Sequence, residues 1–406
     1  MRTKTILVFL LAWLLVLPVA SMAISLQEVK TIVSSPELGD TVLVWVPGGF
    51  WAEPVEVNGV LYHNCTWPGQ LVNRSDGTTL WIEPNFWNIA NTTGENYMRF
   101  IKSSDQVAFY ASLNNVTTQW GGIAWATPGV VFVGRTPPQF ATLPAAGGYT
   151  WFSLPMEVQE FLDIYESLYV KVNYEVVKRD DTLVRTGLLL WFEDLNDGSA
   201  KTEVYIAFHD DFGGIVGDKT IVKTIDIPLI IDGQLVVGNF EVQRALNPGG
   251  WASMVFLLKN ADIMKGEIYI DLKPFVEEVL DQMVNFFDFP AERLVWSDIV
   301  YSNYFGSEGT EAELGWILYD ARLVPPELTP KIVVETVTET QEVTETETTT
   351  VTETTTLTQT TTETTTEETT TTITTTVAPD AVTLAIIGII ALIIGFVVGM
   401  VLKGKR

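Results

Sequence analysis

Between about Leu26 and Leu328 the chain is written as short strand-like runs cut by turns. Thr41-Val42-Leu43-Val44-Trp45-Val46, Gly129-Val130-Val131-Phe132-Val133 and Tyr169-Val170-Lys171-Val172-Asn173-Tyr174 are such runs, rich in β-branched and aromatic residues. Clusters of Gly, Pro, Asn and Asp separate them at a spacing of roughly ten residues, the punctuation of an all-β sandwich of antiparallel sheets. One helix is predicted among them. Pro274 opens it, and Phe275, Val276, Val279, Leu280 and Met283 fall on one face. A single helix among so many strands excludes an alternating α/β fold.

The two ends follow different rules. Residues 1–23 have the layout of a secretory signal: Arg2 and Lys4, an apolar stretch from Ile6 to Val19, then Ser21-Met22-Ala23 as a small-x-small cleavage site. The folded domain is expected over 24–328. Residues 329–380 form a stalk dominated by Thr and Glu, with too few large apolar side chains to fold alone. Fully extended, such a stalk would reach on the order of 160 Å. A transmembrane helix is expected over 381–402, where Leu384–Leu402 is an unbroken apolar run. Lys403, Lys405 and Arg406 lie in the 403–406 tail and place it inside, so the domain faces outward from the cell membrane.

Composition narrows the chemistry. A formal net charge of −26 makes nucleic acid a poor partner. Cys65 is the only cysteine, so no internal disulfide forms. His63 and His209 are the only histidines, too few for a multi-His metal site, and no phosphate-binding or dinucleotide motif is present. No metal and no cofactor are expected. Thirteen Trp supply core packing or platforms for sugar rings. Four glycosylation sequons begin at Asn64, Asn73, Asn91 and Asn115.

One strand breaks the pattern. In Glu203-Val204-Tyr205-Ile206-Ala207-Phe208, Val204, Ile206 and Phe208 share the face a core requires. Glu203, Tyr205 and Ala207 share the other. A mid-strand carboxylate there is either a gatekeeper at a sheet edge or a catalytic group. A second acidic stretch, Asn303 to Glu311, leaves a strand and enters a Gly-punctuated loop, offering Glu308 and Glu311. Two carboxylates about 5 Å apart on neighbouring strands form the pair of a retaining glycosidase, one as nucleophile and the other as acid/base. That chemistry needs no cofactor.

Several stretches, in order along residues 80–324, resemble glycoside hydrolase family 12, the compact jelly-roll endoglucanases. Pro84-Asn85-Phe86-Trp87-Asn88 resembles the family's glucose-binding Asn-x-Trp segment. Pro128 to Gly134 resembles its Tyr-Pro-x-Ile-x-x-Gly strand. Glu203 to Phe208 resembles the nucleophile strand, Asp271 to Phe275 the start of the helix, Phe305-Gly306-Ser307-Glu308 the Gly-Thr-Glu of the acid/base strand, and Leu314-Gly315-Trp316 the strand after it. The resemblance implies a jelly roll and an endo-β-1,4-glucanase acting with retention on β-glucan, xylan or xyloglucan. Glu203 would be the nucleophile, Glu308 (or Glu311) the acid/base, and Asn85, Trp87, Trp120, Trp125 and Tyr205 would line the cleft. Ala207 stands where the family carries Trp, and Leu189 where it carries the Asp that supports the nucleophile. A non-catalytic surface protein that binds glycan fits the same signal, stalk and anchor.

Overall fold

The computed structural model describes residues 23–45, 55–65, 69–134, 145–247, 250–330, 334–351 and 357–374. Residues 1–22 of the expected 1–23 signal, and the apolar run Leu384–Leu402 with its basic tail, lie outside the described residues. Among the described residues no helix is long and apolar enough to cross a membrane. The chain divides into two units, residues 1–227 with 238–323, and residues 228–237 with 324–406.

The first unit is a two-layer β-sandwich. Seven strands carry the functional argument: β1 (Thr79–Glu83), β2 (Gly129–Gly134), β3 (Leu183–Asp194), β4 (Ala200–Asp210), β5 (Gln234–Leu246), β6 (Ala252–Leu258) and β7 (Leu294–Gly306). Their order across the layer is β1-β2-β7-β3-β4-β6-β5. The second layer pairs Lys265–Asp271, Tyr169–Lys178, Ala312–Leu323, Gln106–Thr118, Ile89–Ile101 and Thr41–Trp45 in that order. The sheets are not wholly antiparallel: β4 runs parallel to β6, and Thr41–Trp45 runs parallel to Val60–Cys65.

Alternation along each strand explains the core. Tyr301 of β7 packs edge-on against Trp316 at 5.7 Å and tilted against Tyr174 at 5.1 Å, and Phe305 meets Phe109 at 6.2 Å. Phe208 of β4 stacks with Tyr174 at 6.5 Å. These rings join the two layers and are fully buried. Residues one position along, Val300, Ser302, Tyr304, Tyr205 and Ala207, therefore point away from the second layer. We call their side of the sheet the far face.

Three α-helices occur among the described residues, where one was expected. α3 (Lys273–Asn285) is the predicted one, with Pro in its first turn and Phe275, Val276, Val279 and Met283 buried. α1 (Leu26–Ser34) starts at a capping box in which Ser25 and Glu28 satisfy each other's backbone N–H groups. Its Val29 and Val33 cover Ala108, Tyr110 and Ile317 of the second layer. Gly315 permits this approach, since a Cβ there would sit 3.1 Å from the Val29 side chain. α2 (Val158–Ile164) buries Val158 and Phe161, the latter against Trp296 at 5.1 Å.

The Thr/Glu tail also departs from expectation. Val334–Val351 and Leu357–Thr374 pair as an antiparallel hairpin, Thr338 opposite Thr370 and Thr344 opposite Thr364. Threonine is β-branched and prefers extended backbone, which a composition argument about missing core overlooks.

Candidate functional site

Strand register lays out the far face in rows across the sheet. One row runs Trp81, Val131, Val300, Leu189, Tyr205, Val255. These side chains form one buried apolar cluster with Ala207 and Leu257, flanked by half-buried Trp191, Ile215 and Tyr304. A neighbouring row runs Asp298, Trp191, Glu203, Ser253. At the other end of the face, Tyr304 pairs with Arg185 and Arg185 with Asp210.

Glu203 stands at the edge of the apolar cluster, half-buried, with no ion-pair partner among the described residues. Burial raises its pKa; the Trp251 indole N–H and the Arg185 guanidinium act in the opposite direction without cancelling the rise. Glu203 in turn raises the Tyr304 phenol, after burial the largest influence on that group. Trp251 lies 6.1 Å from Trp191, ring to ring. Glu203 is thus a carboxyl in an aromatic recess, biased toward its protonated form, which suits a proton donor better than a nucleophile.

Arg185 organises the other end. Its Nε donates to Asp210 at 2.7 Å, and its Nη2 donates to the Gly214 carbonyl. The guanidinium lies 5.3 Å from the Tyr205 ring, 5.2 Å from Tyr304 and 5.7 Å from Phe212. Tyr205 donates to the Ser302 carbonyl at 2.6 Å and is almost fully buried. It therefore supports the far face from within it, rather than lining an open cleft.

The structure does not bring Glu308 to Glu203. Glu203 stands in the row of Asp298, and Glu308 lies ten residues further along, past the last residue of β7, exposed in the turn after Gly306. At about 3.3 Å per residue that is on the order of 30 Å along the strand. Glu311 is also exposed, 3.6 Å from Arg179. The Gly-Ser-Glu motif misleads because register follows the alternation of β7, whose Trp296, Tyr301 and Phe305 must enter the core, and this fixes where the strand sits opposite β3. The carboxylate in the row of Glu203 is Asp298, two strands away. Its Oδ1 accepts the Trp191 N–H at 3.0 Å and it is fully buried. Only the pairing register reveals it; in sequence it reads as one more polar strand residue.

The expected aromatics separate into two groups. Trp120 is 71% exposed and stacks on Trp87 at 5.8 Å, and Trp87 stacks on Tyr304 at 6.0 Å. Trp87 donates to Thr127 at 2.7 Å. Of these three rings at the Arg185 end, Trp120 is open to solvent and Trp87 and Tyr304 are half-buried. Trp125, by contrast, is 2% exposed and belongs to the core; it follows Ala124 in a three-residue strand buried along its length. Asn85 adopts φ 39° beside Trp87, its backbone carbonyl accepting the Thr127 N–H.

Two buried titratable groups escaped sequence reading. Glu83, at the end of β1, has its pKa pushed up to about 8 by burial, with Trp81 and Asn85 opposing. His209 is buried between Asp262 and Asp211, the latter 3.3 Å from Nε2. Burial lowers its pKa, but the two carboxylates outweigh that and raise it. Of the sequon asparagines, Asn73, Asn91 and Asn115 are exposed, the last two on the Ile89–Ile101 and Gln106–Thr118 hairpin; the Asn64 side chain lies outside the described residues.

No family model matches the chain, and no curated protein matches it. Among solved structures it is similar to a family 12 xyloglucanase from Bacillus licheniformis in complex with ligand, at 12% identity and a TM-score of 0.44, covering 63% of this chain and 97% of that one. It is similar to endoglucanase cel12A from Rhodothermus marinus, at 15% identity, TM-score 0.41, covering 63% and 95%. A third is endoglucanase 3 of family GH12 from Trichoderma harzianum, at 12% identity, TM-score 0.39, covering 63% and 94%. At such identities and scores the activity has to be argued from the site itself.

Proposed function

We propose that this chain is a cell-surface glycoside hydrolase acting on β-glucan across the far face, with Glu203 as its proton-handling carboxyl. The observation that carries the reading is Glu203 itself. It is a half-buried carboxyl without a salt-bridge partner among the described residues, its pKa raised by burial, beside Trp191, Trp251 and Tyr304. Donating a proton to a glycosidic oxygen requires an acid of raised pKa beside ring-stacking surfaces. The exposed Trp120, with half-buried Trp87 and Tyr304 stacked behind it, supplies a stacking face for sugar rings. The apolar run Leu384–Leu402 would hold the chain on the outer side of the membrane, close to polymers too large to import.

The test is release of reducing ends from carboxymethylcellulose and mixed-linkage glucan by the purified chain. Glu203→Gln should lower the rate by about a thousandfold, the scale seen when a central member of a catalytic unit is lost. A Gln variant as active as the parent removes Glu203 from the chemistry. Truncation after Pro330 should release a soluble protein; material that stays with membranes would contradict the anchor.

A second reading is favoured by the far face being largely closed and by Trp120 being open: the chain binds glucan without cleaving it. It predicts no reducing ends on any β-glucan, together with retardation in glucan-containing gels that Trp120→Ala abolishes.

A further inference from the structure

We propose that Asn88 is a positioning residue that acts through Trp120: its buried side-chain amide ties down the turn that carries the exposed indole, and so presents that ring as a fixed platform for a sugar. This rests on the reading of Trp120 as a glucan-stacking ring given above and assigns what holds it in place.

The turn buries nothing of its own. Gln119, Trp120, Gly121 and Gly122 are all exposed, between the strands Gln106–Thr118 and Ala124–Ala126. Gly121 and Gly122 sit at φ 77° and 81°, where glycine is favoured, and a Cβ on either would meet nothing within 4 Å. Such a turn takes its shape from its hydrogen bonds and from whatever its one large ring can lean on.

Asn88 supplies those bonds. It is 2% exposed. Its Oδ1 accepts the Trp120 N–H at 2.9 Å, and its Nδ2 donates to the Gly121 carbonyl at 2.7 Å and to the Ala124 carbonyl at 2.8 Å. Its backbone carbonyl accepts the Gln119 N–H at 2.9 Å, and its N–H donates to the Trp125 carbonyl at 3.0 Å. One residue thus spans the turn from end to end. The side chain has to offer an acceptor and two donors on a short stem, which Asn does and Asp and Ser do not.

The residue before it grips the same tryptophan by the ring. Trp87 stacks on the Trp120 indole at 5.8 Å and is itself fixed by its Nε1 donating to Thr127 at 2.7 Å. The far side of the turn is seated on the end of β7. The Ile123 carbonyl accepts the Ser307 N–H at 3.0 Å, and a Cβ on Gly306 would fall 1.8 Å from that carbonyl oxygen. Gly306 and Ser307, from the stretch that resembles an acid/base strand, therefore have a use independent of Glu308: they receive the turn. An indole held by its backbone, its ring and its turn has little freedom left to lose when a sugar stacks on it, and this is how a preorganised platform gains affinity over a loose one.

The experiment reads the ring directly. The full chain, in mild detergent, is labelled with fluorotryptophan, and the Trp120 fluorine resonance is identified by its absence from Trp120→Phe. In Asn88→Asp, which keeps the acceptor and loses both donors, that resonance should move toward the position of free fluorotryptophan. Retention in mixed-linkage glucan gels should fall with it by about tenfold, the scale for losing one pre-ordered side chain. Asn88→Ser buries no charge, should behave the same way, and carries the test if the Asp variant fails to fold. Phe240→Leu, which loosens the core beside Phe275 on β5, should lower Tm and move neither reading. An unmoved Trp120 resonance in folded Asn88→Asp or Asn88→Ser overturns the inference. So does a resonance that moves with no loss of retention, or one that moves equally in Phe240→Leu. The resonance reports whether or not glucan binds, so a parent that glucan does not retain refutes the platform reading alone, while a moved resonance still upholds the hold of Asn88 on Trp120.

Discussion

Replacing Glu83 by Gln should make the protein more resistant to unfolding at alkaline pH than the parent. Glu83 is 5% exposed at the end of β1, flanked by Trp81 and Asn85. Its pKa rises from 4.5 to about 8 on folding, with burial as the cause. Below pH 4.5 both folded and unfolded chains hold the proton and nothing is at stake. Between 4.5 and 8 the unfolded chain releases it while the folded chain keeps it, so stability falls as pH rises through that window. At about 1.4 kcal/mol for each pH unit, the whole loss is at most about 5 kcal/mol, less whatever the surroundings relax around an ionised carboxylate. Gln has the same shape and no proton to lose. The assay is equilibrium urea unfolding of both proteins at pH 4.5 and 8.5. The Gln variant should gain on the parent by about 2 to 5 kcal/mol between the two, while titrations common to both cancel. A difference that stays constant to within about 0.5 kcal/mol would refute the reasoning, because it would mean that Glu83 ionises in the folded state as easily as in water.

Further outcomes follow from the site and its frame. Trp120→Ala should weaken retention on glucan about tenfold with Tm unchanged, whereas Trp125→Ala should cost about 3 to 5 kcal/mol of stability, the range for emptying a buried aromatic site. Binding and thermal unfolding of the two variants separate the cases. Glu308→Gln should leave glucan hydrolysis within about twofold of the parent, since Glu308 is exposed in the turn beyond β7; a loss like that of Glu203→Gln would contradict the observed register. Asp211, whose pKa is about 2 because His209 and the Val184 N–H outweigh burial, contributes stability that is full above about pH 4 and lost as pH falls toward 2. Asp211→Asn should flatten that acid limb in unfolding curves taken across pH 2 to 5.

Much of the sandwich was legible in the sequence because its cause is local. Val204, Ile206 and Phe208 alternate with Glu203, Tyr205 and Ala207, and the structure buries the first set in the core. Pro274 and the apolar spacing after it mark α3 for the same reason. What depended on pairing was not legible. Phe305-Gly306-Ser307-Glu308 looks like an acid/base strand, but no sequence feature states which residue of β7 stands opposite Trp191, and the answer is Asp298. Arg185 and Asp210 are separated by a hairpin, so their ion pair is invisible until β3 and β4 are in register. The burial of His209 is equally invisible, because Asp262, from a distant loop, supplies half of its environment. The α1 capping box, Ser25 with Glu28, was a readable signal that the strand-rich context concealed.

The most direct measurement is the rate at which the purified chain generates new chain ends on mixed-linkage glucan, parent beside Glu203→Gln. The account predicts measurable cleavage by the parent and a fall of about a thousandfold in the variant, both proteins remaining folded. Equal rates, or no cleavage by the parent, would contradict it.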